Sequence, residues 1–545
     1  MKASCVIRGG QVLDGTGKPP RRADVALANG RIAAIGALEN LEGAQRIDAP
    51  GLMVAPGFVD LHSHGDLILA WPSEKRLPLL EGRLAQGITT EIVGNCGLGA
   101  APLYGQAVDL LGRLNGWMTP ASFPWPWKGL AEYLVHLEEV GLPMNVGSLV
   151  PHGPLRLGAM GLVPGESGAA SRAAMTAKLE AALEEGAFGL SAGLIYPPGM
   201  YTSTDELIHL ARRLRRHEGV FTCHIRGSSE TLLPAVDELL RIGREAEVPV
   251  HHSHAESVGE AHWPKLEVFL EKEERARAEG LQVSRDMFPY PVAATMMLAI
   301  YPPWSLEGGL EKLLERLGDE DERRRIEGDI ETVTPEWPPW REGGWPHNLV
   351  RAVGWDRICI ASVGSEENHS LEGLSLAELA RRRGQSPFDA VSNLMTEEQG
   401  NIGQFVLDIS GEEGLDKLVS RPDVAFITDA NDYGKGKPHP AAYGSFPRIL
   451  GRYVRERSLI DLPEGVRRMT SLPAEILGLK DRGRLRQGAW ADIVIFDPAR
   501  ISDRATLADP RRRPEGIEAV LVNGEIVYRR GGLTGVMPGH VLRRK

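Results

Sequence analysis

The chain has 545 residues and a formal net charge of −11 at pH 7, with 42% hydrophobic and 25% charged residues. Its lysines and arginines are scattered, so it lacks the basic surface of a nucleic-acid-binding protein, and no apolar run approaches the roughly 18 residues of a membrane span. The first ten residues, MKASCVIRGG, lack the apolar core of a signal peptide. We therefore expect a cytoplasmic protein that binds neither nucleic acid nor membrane. Its length predicts several domains or one large barrel.

The two ends of the chain carry the same β-hairpin signal. Apolar strand-like runs flank Asn29-Gly30 and again Asn523-Gly524. Asn-Gly supplies the positive φ angles of a tight hairpin turn. Because an isolated hairpin is marginal in water, the two ends are expected to pair with each other. We predict one small β-sandwich domain built from residues 1–55 and 476–545.

Between these ends, residues 56–475 alternate short apolar strands with amphipathic helical stretches. Stretches such as 171–185 and 230–245 carry apolar residues at three- and four-residue spacing. Eight such units predict an α/β fold, a parallel (β/α)8 TIM barrel, in which functional side chains follow the carboxyl ends of the strands. The predicted strands end at residues 62–64, 95–97, 151–153, 190–193, 223–226, 253–256, 285–290 and 427–430.

One stretch interrupts the alternation after the seventh predicted strand. Residues 293–344 contain Pro302-Pro303-Trp304 and Trp337-Pro338-Pro339-Trp340 on either side of a charged helical segment. Long insertions in the βα loops of a barrel commonly form lids or pocket walls. The alternative is a packing appendage or a contact between subunits. The sequence leaves open whether the chain forms a homo-oligomer.

Two histidines, His62 and His64, end the first predicted barrel strand. Residues i and i+2 of a strand point to the same side, so both imidazoles emerge together. Hydrogen-bonded core histidines, a buried apolar thiol or a helix cap would explain any one of the candidates taken singly. Together the strand ends offer enough imidazole, thiolate and carboxylate groups for two divalent metals, and these groups suit zinc. The candidate ligands are His62, His64, Cys96, His224, His254 and Asp429.

The four cysteines, Cys5, Cys96, Cys223 and Cys359, occur without a pairwise spacing pattern. Four thiols in so long a chain argue against a disulfide framework. A cysteine with a special role is therefore expected to be a metal ligand or a nucleophile.

Short motifs extend over nearly the whole chain. They are PGFVDLHSH at 56–64, GNCG at 94–97, HGPLR at 152–156, HIR at 224–226, Ser253-His254, Asp286 with Phe288-Pro289-Tyr290, His439-Pro440, YGSFPR at 443–448, GAWAD at 488–492, and Thr534-Gly535 through Pro538-Gly539. In these motifs the chain resembles the amidohydrolase superfamily, and within it the N-acyl-D-amino-acid deacylases, or D-aminoacylases. The resemblance implies a barrel in which a cysteine takes the bridging place that a carboxylated lysine fills in many relatives. The fourth predicted strand accordingly ends in LSAG, without a lysine.

The resemblance implies a tight zinc held by Cys96, His224 and His254. A second site, weaker or empty, would use the histidine pair of the first strand together with Asp429. A bound cation lowers the pKa of its water toward about 7 and polarises an amide carbonyl. Asp429 would accept the proton of that water and pass it to the departing nitrogen. The implied reaction is hydrolysis of a non-peptide amide bond in a small-molecule substrate.

Three positions depart from the family pattern near the expected substrate. Glu256 stands where the family commonly has a lysine for the substrate's α-carboxylate, Ala441 where it has an arginine, and Phe288 where it has a tyrosine. A desolvated carboxylate at Glu256 would repel an anionic substrate. A neutral or cationic amide, including a cyclic one in a hydantoinase-like or lactam-opening reaction, is therefore the alternative substrate.

Substrate contacts are predicted at four positions, with support of the metal ligands as the alternative role. These positions are Arg226, Glu256, His152 and Tyr290. Lys435 and Lys437 could add positive charge, although lysines in such loops are commonly solvated. A non-catalytic scaffold is the hypothesis from another functional class. Inactive relatives typically lose ligands, whereas all six candidate ligands are present here.

Overall fold

The structure is a computed structural model that describes residues 3–38, 41, 43–119, 123–341, 343–430 and 432–544. Residues 1, 2, 39, 40, 42 and 545 of the predicted terminal domain and residue 342 of the predicted insertion lie outside this range. Within the range, no helix combines the length and the apolar composition needed to cross a membrane.

The strands and helices alternate over most of the chain. In chain order the strands are β1 (Ala3–Val12), β2 (Arg21–Ala28), β3 (Arg31–Gly36), β4 (Gly43–Asp48), β5 (Met53–Pro56), β6 (Phe58–Asp60), β7 (Ile88–Val93), β8 (Asn145–Ser148), β9 (Val150–Pro151), β10 (Gly189–Gly193), β11 (Val220–His224), β12 (Val250–His252), β13 (Val283–Met287), β14 (Val292–Met296), β15 (Ile358–Ser362), β16 (Gly403–Leu407), β17 (Val424–Phe426), β18 (Ile493–Phe496), β19 (Ile517–Val522), β20 (Glu525–Arg529) and β21 (Gly532–Leu533).

The α-helices fall mainly between the parallel strands. They are α1 (Ser73–Ala85), α2 (Ala107–Leu114), α3 (Leu130–Val140), α4 (His152–Met160), α5 (Ala169–Glu184), α6 (Thr204–Ala211), α7 (Leu232–Ala246), α8 (Lys265–Ala278), α9 (Leu310–Gly318), α10 (Glu320–Thr332), α11 (Leu349–Val353), α12 (Leu376–Arg383), α13 (Pro387–Glu397), α14 (Gly411–Ser420), α15 (Ala441–Arg448), α16 (Leu462–Met469) and α17 (Ser471–Ile476). A π-helix over Ile449–Glu456 continues α15.

A closed parallel barrel forms the centre of the molecule, which confirms the predicted (β/α)8 fold. Strands β6, β7 and β8 pair in parallel, and so do β9 to β13 with β17. Only Leu149 separates β8 from β9, so these two form one barrel strand and the barrel has eight among the described residues. The ring is completed where Leu149 N donates to Val93 O at 2.9 Å and where Asp429 N donates to His62 O at 3.0 Å. Every residue of β7 is buried, because helices cover the outside of the barrel and side chains fill its interior.

The two ends of the chain pair into one sheet, as the repeated hairpin signal predicts. Antiparallel pairing of β5 with β18 joins the N-terminal and C-terminal strands in a nine-stranded sheet. Ile32 N on the edge strand β3 donates to Ala489 O, just before β18, at 2.9 Å. The sheet is therefore strongly curved, with β3 close to the segment that leads into β18. One apolar cluster, including Val25 and Ile493, fills the inside of the curl.

The segment between the seventh and eighth barrel strands has a sheet of its own. Strands β14, β16 and β15 form an antiparallel sheet in that order, with helices α9 to α13 between them in the chain. These elements continue to Leu407, well beyond residue 344. The short sheet lies across the carboxyl end of the barrel and contributes to the wall of the cavity described below.

Candidate metal centre

Six side chains from five strand ends converge at one end of the barrel. His62 and His64 follow β6, Cys96 follows β7, and His224 is the last residue of β11. His254 follows β12 and Asp429 follows β17. They form two overlapping groups in which all candidate ligand atoms lie within 4.8 Å of one another. The groups are His62, His64, Cys96 and Asp429, and Cys96, His224 and His254.

Cys96 lies at the junction of the two groups. Its Sγ is 3.2 Å from His62 Nε2 and 3.5 Å from His254 Nε2. Asp429 Oδ1 lies 3.1 Å from Nε2 of His62 and 3.1 Å from Nε2 of His64. The rings of His224 and His254 are 4.3 Å apart between centroids. The Cys96 thiolate would therefore be available to hold a divalent metal in either group.

Three of the candidate ligands have a left-handed backbone conformation. The φ angles are 52° at Cys96, 36° at His254 and 45° at Asp429. Positive φ is uncommon for residues other than glycine and strains the backbone, and such strain clusters at functional sites. The sharp turn after each strand aims the side chain across the barrel mouth.

Asp286 on β13 orients two of the histidines. Its Oδ2 lies 3.1 Å from His62 Nδ1 and 2.8 Å from His251 Nε2, and its Oδ1 accepts a hydrogen bond from His254 N. A carboxylate that holds one imidazole nitrogen leaves the other nitrogen free for a metal and fixes the ring. The sequence motif contains Asp286 but does not indicate its role, because its partners become visible only in the fold.

Two negative charges lie among the imidazoles. Burial alone would raise the pKa of the Cys96 thiol and of the Asp429 carboxyl. The imidazoles of His62 and His254 outweigh that effect and hold both pKa values well below their usual ranges. Burial lowers the pKa of an imidazole, but the two anions outweigh it and raise the pKa of His64 to about 9 and that of His254 to about 10. The site therefore stabilises positive charge, and its thiolate, imidazole and carboxylate donors fit a divalent metal such as zinc.

A cavity of about 1160 Å³, counted with its mouth, opens directly above these groups. Much of its lining is apolar, with Ile195, Val258 and Phe288 among the wall residues. The three-stranded sheet supplies Thr295, Ser362 and the β16 residues 403–406. An apolar pocket with a few polar groups at its base is typical of a small-molecule site.

Glu256, a predicted substrate contact, lies in the lining of this cavity. Ser228 Oγ donates to its Oε1 at 3.3 Å, and burial raises the pKa of the carboxyl to about 7. Phe288, the aromatic departure from the family pattern, lines the cavity too, whereas Ala441 is buried at the start of α15.

Arg226, a predicted substrate contact, lies inside the barrel wall. Its guanidinium is buried and donates to Glu238 through Nε at 2.9 Å and Nη2 at 3.0 Å. Its Nη1 also donates to the carbonyl oxygen of Met200, and its Nη2 to that of Thr202. Arg226 is not among the described residues that line the cavity, because its charge is already neutralised inside the barrel wall.

His152 and Tyr290 are also absent from the described lining of the cavity, and their substrate contacts stay predictions. His152 Nε2 lies 3.0 Å from Glu206 Oε1 on α6. Tyr290 donates from its hydroxyl to Asp503 Oδ2 at 3.2 Å. Both side chains tie neighbouring elements together, and neither partner is near in sequence.

Two polar cavity residues were not identified from the sequence. Gln404 on β16 and His347 before α11 are buried and line the cavity. Among the described residues, neither side chain has a hydrogen-bond partner for any of its polar atoms. No sequence motif marks them, because a missing partner is a property of the folded chain.

Known proteins resemble this chain over its full length. Residues 45–316 and 368–528 match the model of the amidohydrolase family. The N-acyl-D-glutamate deacylase of Alcaligenes xylosoxydans xylosoxydans is 36% identical over 545 residues, which is 100% of this chain and 97% of the relative. The D-aminoacylase of the same organism is 32% identical, covering 99% of this chain and 97% of the relative.

A solved structure shows the same architecture. The N-acyl-D-glutamate deacylase from Bordetella bronchiseptica, complexed with zinc and a phosphonate inhibitor that mimics the tetrahedral intermediate, has a TM-score of 0.81 and 34% identity, and each chain is covered completely. Both the barrel with its converging ligands and the full-length sequence similarity point to one group of hydrolases. The chain therefore belongs to the amidohydrolase family.

Proposed function

We propose that this amidohydrolase is a zinc-dependent deacylase of N-acyl-D-amino acids. The observation that carries the proposal is the convergence of two ligand groups within 4.8 Å at the base of the cavity. Similarity to an N-acyl-D-glutamate deacylase and a D-aminoacylase supports the D-amino-acid class. The tight zinc would be held by Cys96, His224 and His254, and the second site, weaker or empty, by His62, His64 and Asp429.

Asp429 is the proton carrier of the proposed reaction. The metal, when bound, activates a water molecule by lowering its pKa toward about 7 and polarises the amide carbonyl. Contacts of 3.1 Å to His62 Nε2 and His64 Nε2 hold the Asp429 carboxylate in place. Because its pKa is low, Asp429 is ionised at neutral pH and accepts the proton of the attacking water. It then donates this proton to the leaving nitrogen, since an amide anion is a very poor leaving group.

A second candidate substrate is an amide without an α-carboxylate, either neutral or cationic and including cyclic amides. The observation that favours it is the buried carboxyl of Glu256 in the cavity wall. An ionised Glu256 would repel an anionic substrate at this point and would accept hydrogen bonds from a cationic or neutral one.

A substrate panel on zinc-loaded protein tests the proposal. We expect hydrolysis of N-acetyl-D-amino acids and no hydrolysis of the L enantiomers. A clear preference for the corresponding amides or esters over the free acids would favour the second candidate. If no acylated amino acid of either chirality is hydrolysed, the deacylase proposal is wrong.

We also propose that the enzyme works in the cytoplasm on a small-molecule amide. Cys5, Cys96, Cys223 and Cys359 are all buried and free of disulfides. Unpaired thiols are the usual state in reducing compartments, which supports this location.

A further inference from the structure

Gln404 occupies the middle of the cavity-lining sheet. Its strand, β16, is paired on both sides, so Thr295 and Ile360 lie opposite its backbone. The side chain is fully buried, lines the cavity and has no hydrogen-bond partner among the described residues for either its amide oxygen or its amide nitrogen. A buried amide without partners is unfavourable, so folding alone does not explain its presence.

His347 is a second polar group of the same kind. It is 4% exposed, precedes α11 and lines the same cavity. Neither ring nitrogen has a hydrogen-bond partner within the described part of the chain. Both chain neighbours are hydrogen-bonded: Thr231 Oγ1 donates to the backbone oxygen of Pro346 at 2.7 Å, and the Asn348 side chain donates through Nδ2 to Ile330 O at 2.9 Å. The imidazole is therefore held at the cavity by its neighbours and not by its own nitrogens.

The cavity offers little positive charge for a second carboxylate. Among its described lining residues, the lysines and arginines are limited to Lys435 and Lys437. The Lys435 ammonium donates to Thr119 O at 2.9 Å and to Gly116 O at 3.3 Å. Lys437 Nζ lies against Gly373, where an added Cβ would come within 2.8 Å of it. The Lys435 ammonium is therefore already engaged, which leaves Lys437 as the other lysine among the described lining residues.

We propose that the Gln404 amide forms a subsite for a primary carboxamide in the cavity that His347 also lines, and that the substrate is an N-acyl-D-amino acid with a carboxamide side chain, such as the D-glutamine derivative. This inference rests on the proposed deacylase function. A carboxamide offers both an acceptor oxygen and two N–H donors, which complement the amide of Gln404 atom for atom. An apolar substrate would leave the buried amide unpaired, and a carboxylate would offer no donor to its oxygen.

The test compares three substrates of similar size on zinc-loaded protein: N-acetyl-D-glutamine, N-acetyl-D-glutamate and N-acetyl-D-methionine. We expect kcat/KM for the glutamine derivative to exceed that for each of the other two by at least about tenfold. In Gln404→Leu the ratio of the glutamine to the methionine value should fall by roughly tenfold to a hundredfold. The control is Gln385→Leu, an exposed glutamine of the same segment, which should leave the ratio unchanged.

Thermal unfolding separates this role from a structural one. Removal of an unpartnered buried amide should leave the melting temperature of Gln404→Leu equal to or above that of the wild type. The same three compounds are also titrated by calorimetry into zinc-loaded Asp429→Asn, which removes the proposed proton carrier. Selective binding of the carboxamide by this variant, with no hydrolysis of any of the compounds by the wild-type protein, would refute the deacylase proposal and keep the subsite. Hydrolysis without carboxamide preference, or no binding of the carboxamide, would overturn the subsite.

Discussion

Asp429 combines several structural functions in one residue. Its backbone N donates to His62 O and so helps to close the barrel, while its carboxylate contacts His62 and His64. Its φ of 45° is one that asparagine also tolerates. The carboxylate can therefore be changed without disturbing the backbone that carries it, which makes this position suitable for a test of the chemistry.

Asp429→Asn is expected to keep the fold and the tight zinc and to lower kcat by a factor of about 10² to 10⁴, because an amide cannot carry the proton. The measurement is turnover at matched zinc content, determined by elemental analysis. The control is Asp408→Asn, which makes the same substitution at an exposed residue with φ 57° and should keep wild-type turnover. Near-normal turnover of Asp429→Asn would remove this residue from the mechanism.

Single residues differ in how far the sequence predicts them. The spacing of His62 and His64 and the strand-end positions of the other candidate ligands were sufficient to predict that they converge, because parallel strands of a barrel end at one face. Arg226 could not be interpreted in the same way, since its partner Glu238 lies on α7 and no local pattern joins the two. Gln404 was missed because neither its burial nor its missing partners are encoded locally.

Buried ion pairs join the helices that surround the barrel. Glu206 on α6 is buried and contacts two residues of α4, His152 through Oε1 and Arg156 through Oε2. Burial alone would raise the pKa of Glu206, but His152 and Arg156 outweigh it and lower the pKa to about 2. Two helices that follow different barrel strands are therefore held together by one carboxylate.

Glu206→Gln is expected to destabilise the fold by about 3–5 kcal/mol at neutral pH, because it leaves Arg156 buried without its anion. The folded pKa of Glu206 lies below its ordinary value of 4.5, so its contribution is complete above about pH 4.5 and is lost as the pH falls through about 2. We therefore expect the difference in the free energy of unfolding between variant and wild type to decrease from pH 7 to pH 3. Denaturant unfolding at each pH measures it.

The matched control for this change is Glu311→Gln. Glu311 forms an ion pair with Arg113 in which both side chains are more than half exposed. An exposed pair contributes about 0–1 kcal/mol, so this variant should unfold almost like the wild type. If the free energies of unfolding of Glu206→Gln and wild type differ by the same amount at every pH, the lowered pKa of Glu206 is contradicted.

Elements that interrupt the alternation of barrel strands and helices were the hardest to predict. The sequence marked an interruption near residue 293 but not its continuation to β16. Strands β15 and β16 are separated by helices α12 and α13, so no hairpin signal connects them. Helices such as α12, with its Ser375 and Glu378 capping box, look locally like ordinary barrel helices.

A buried polar network joins the terminal sheet to the barrel. Asn145 on β8 donates from Nδ2 to Asp492 Oδ1 at 3.2 Å, and Asn523 donates to Asn145 Oδ1 at 2.8 Å. The C-terminal tail adds a parallel bridge between Val541 and Val146. The β domain is therefore anchored at the third barrel position, opposite the end that carries the metal ligands.

Removal of metal is expected to lower the stability of the whole molecule as well as its activity. The candidate ligands come from five barrel strands, so a bound ion ties these strand ends together, and an ion that binds only the folded chain adds about 4 kcal/mol at a thousandfold excess over its Kd. Thermal unfolding with a chelator and after zinc addition should show a fall and a recovery of Tm. The Tm of Cys96→Ala should neither fall with the chelator nor recover with zinc. A wild-type Tm that is the same with and without zinc would contradict the metal site.

The junction between the first and last barrel strands affects the order of folding and metal binding. His64 and Asp429 are 365 residues apart, yet they meet where the first and last strands join. During synthesis the early histidines are made long before their carboxylate partner exists, and contacts of such long range form late in folding. We therefore expect both ligand groups to be complete only after the final strand has paired with the first. Binding of metal by both groups would then indicate that the barrel has closed.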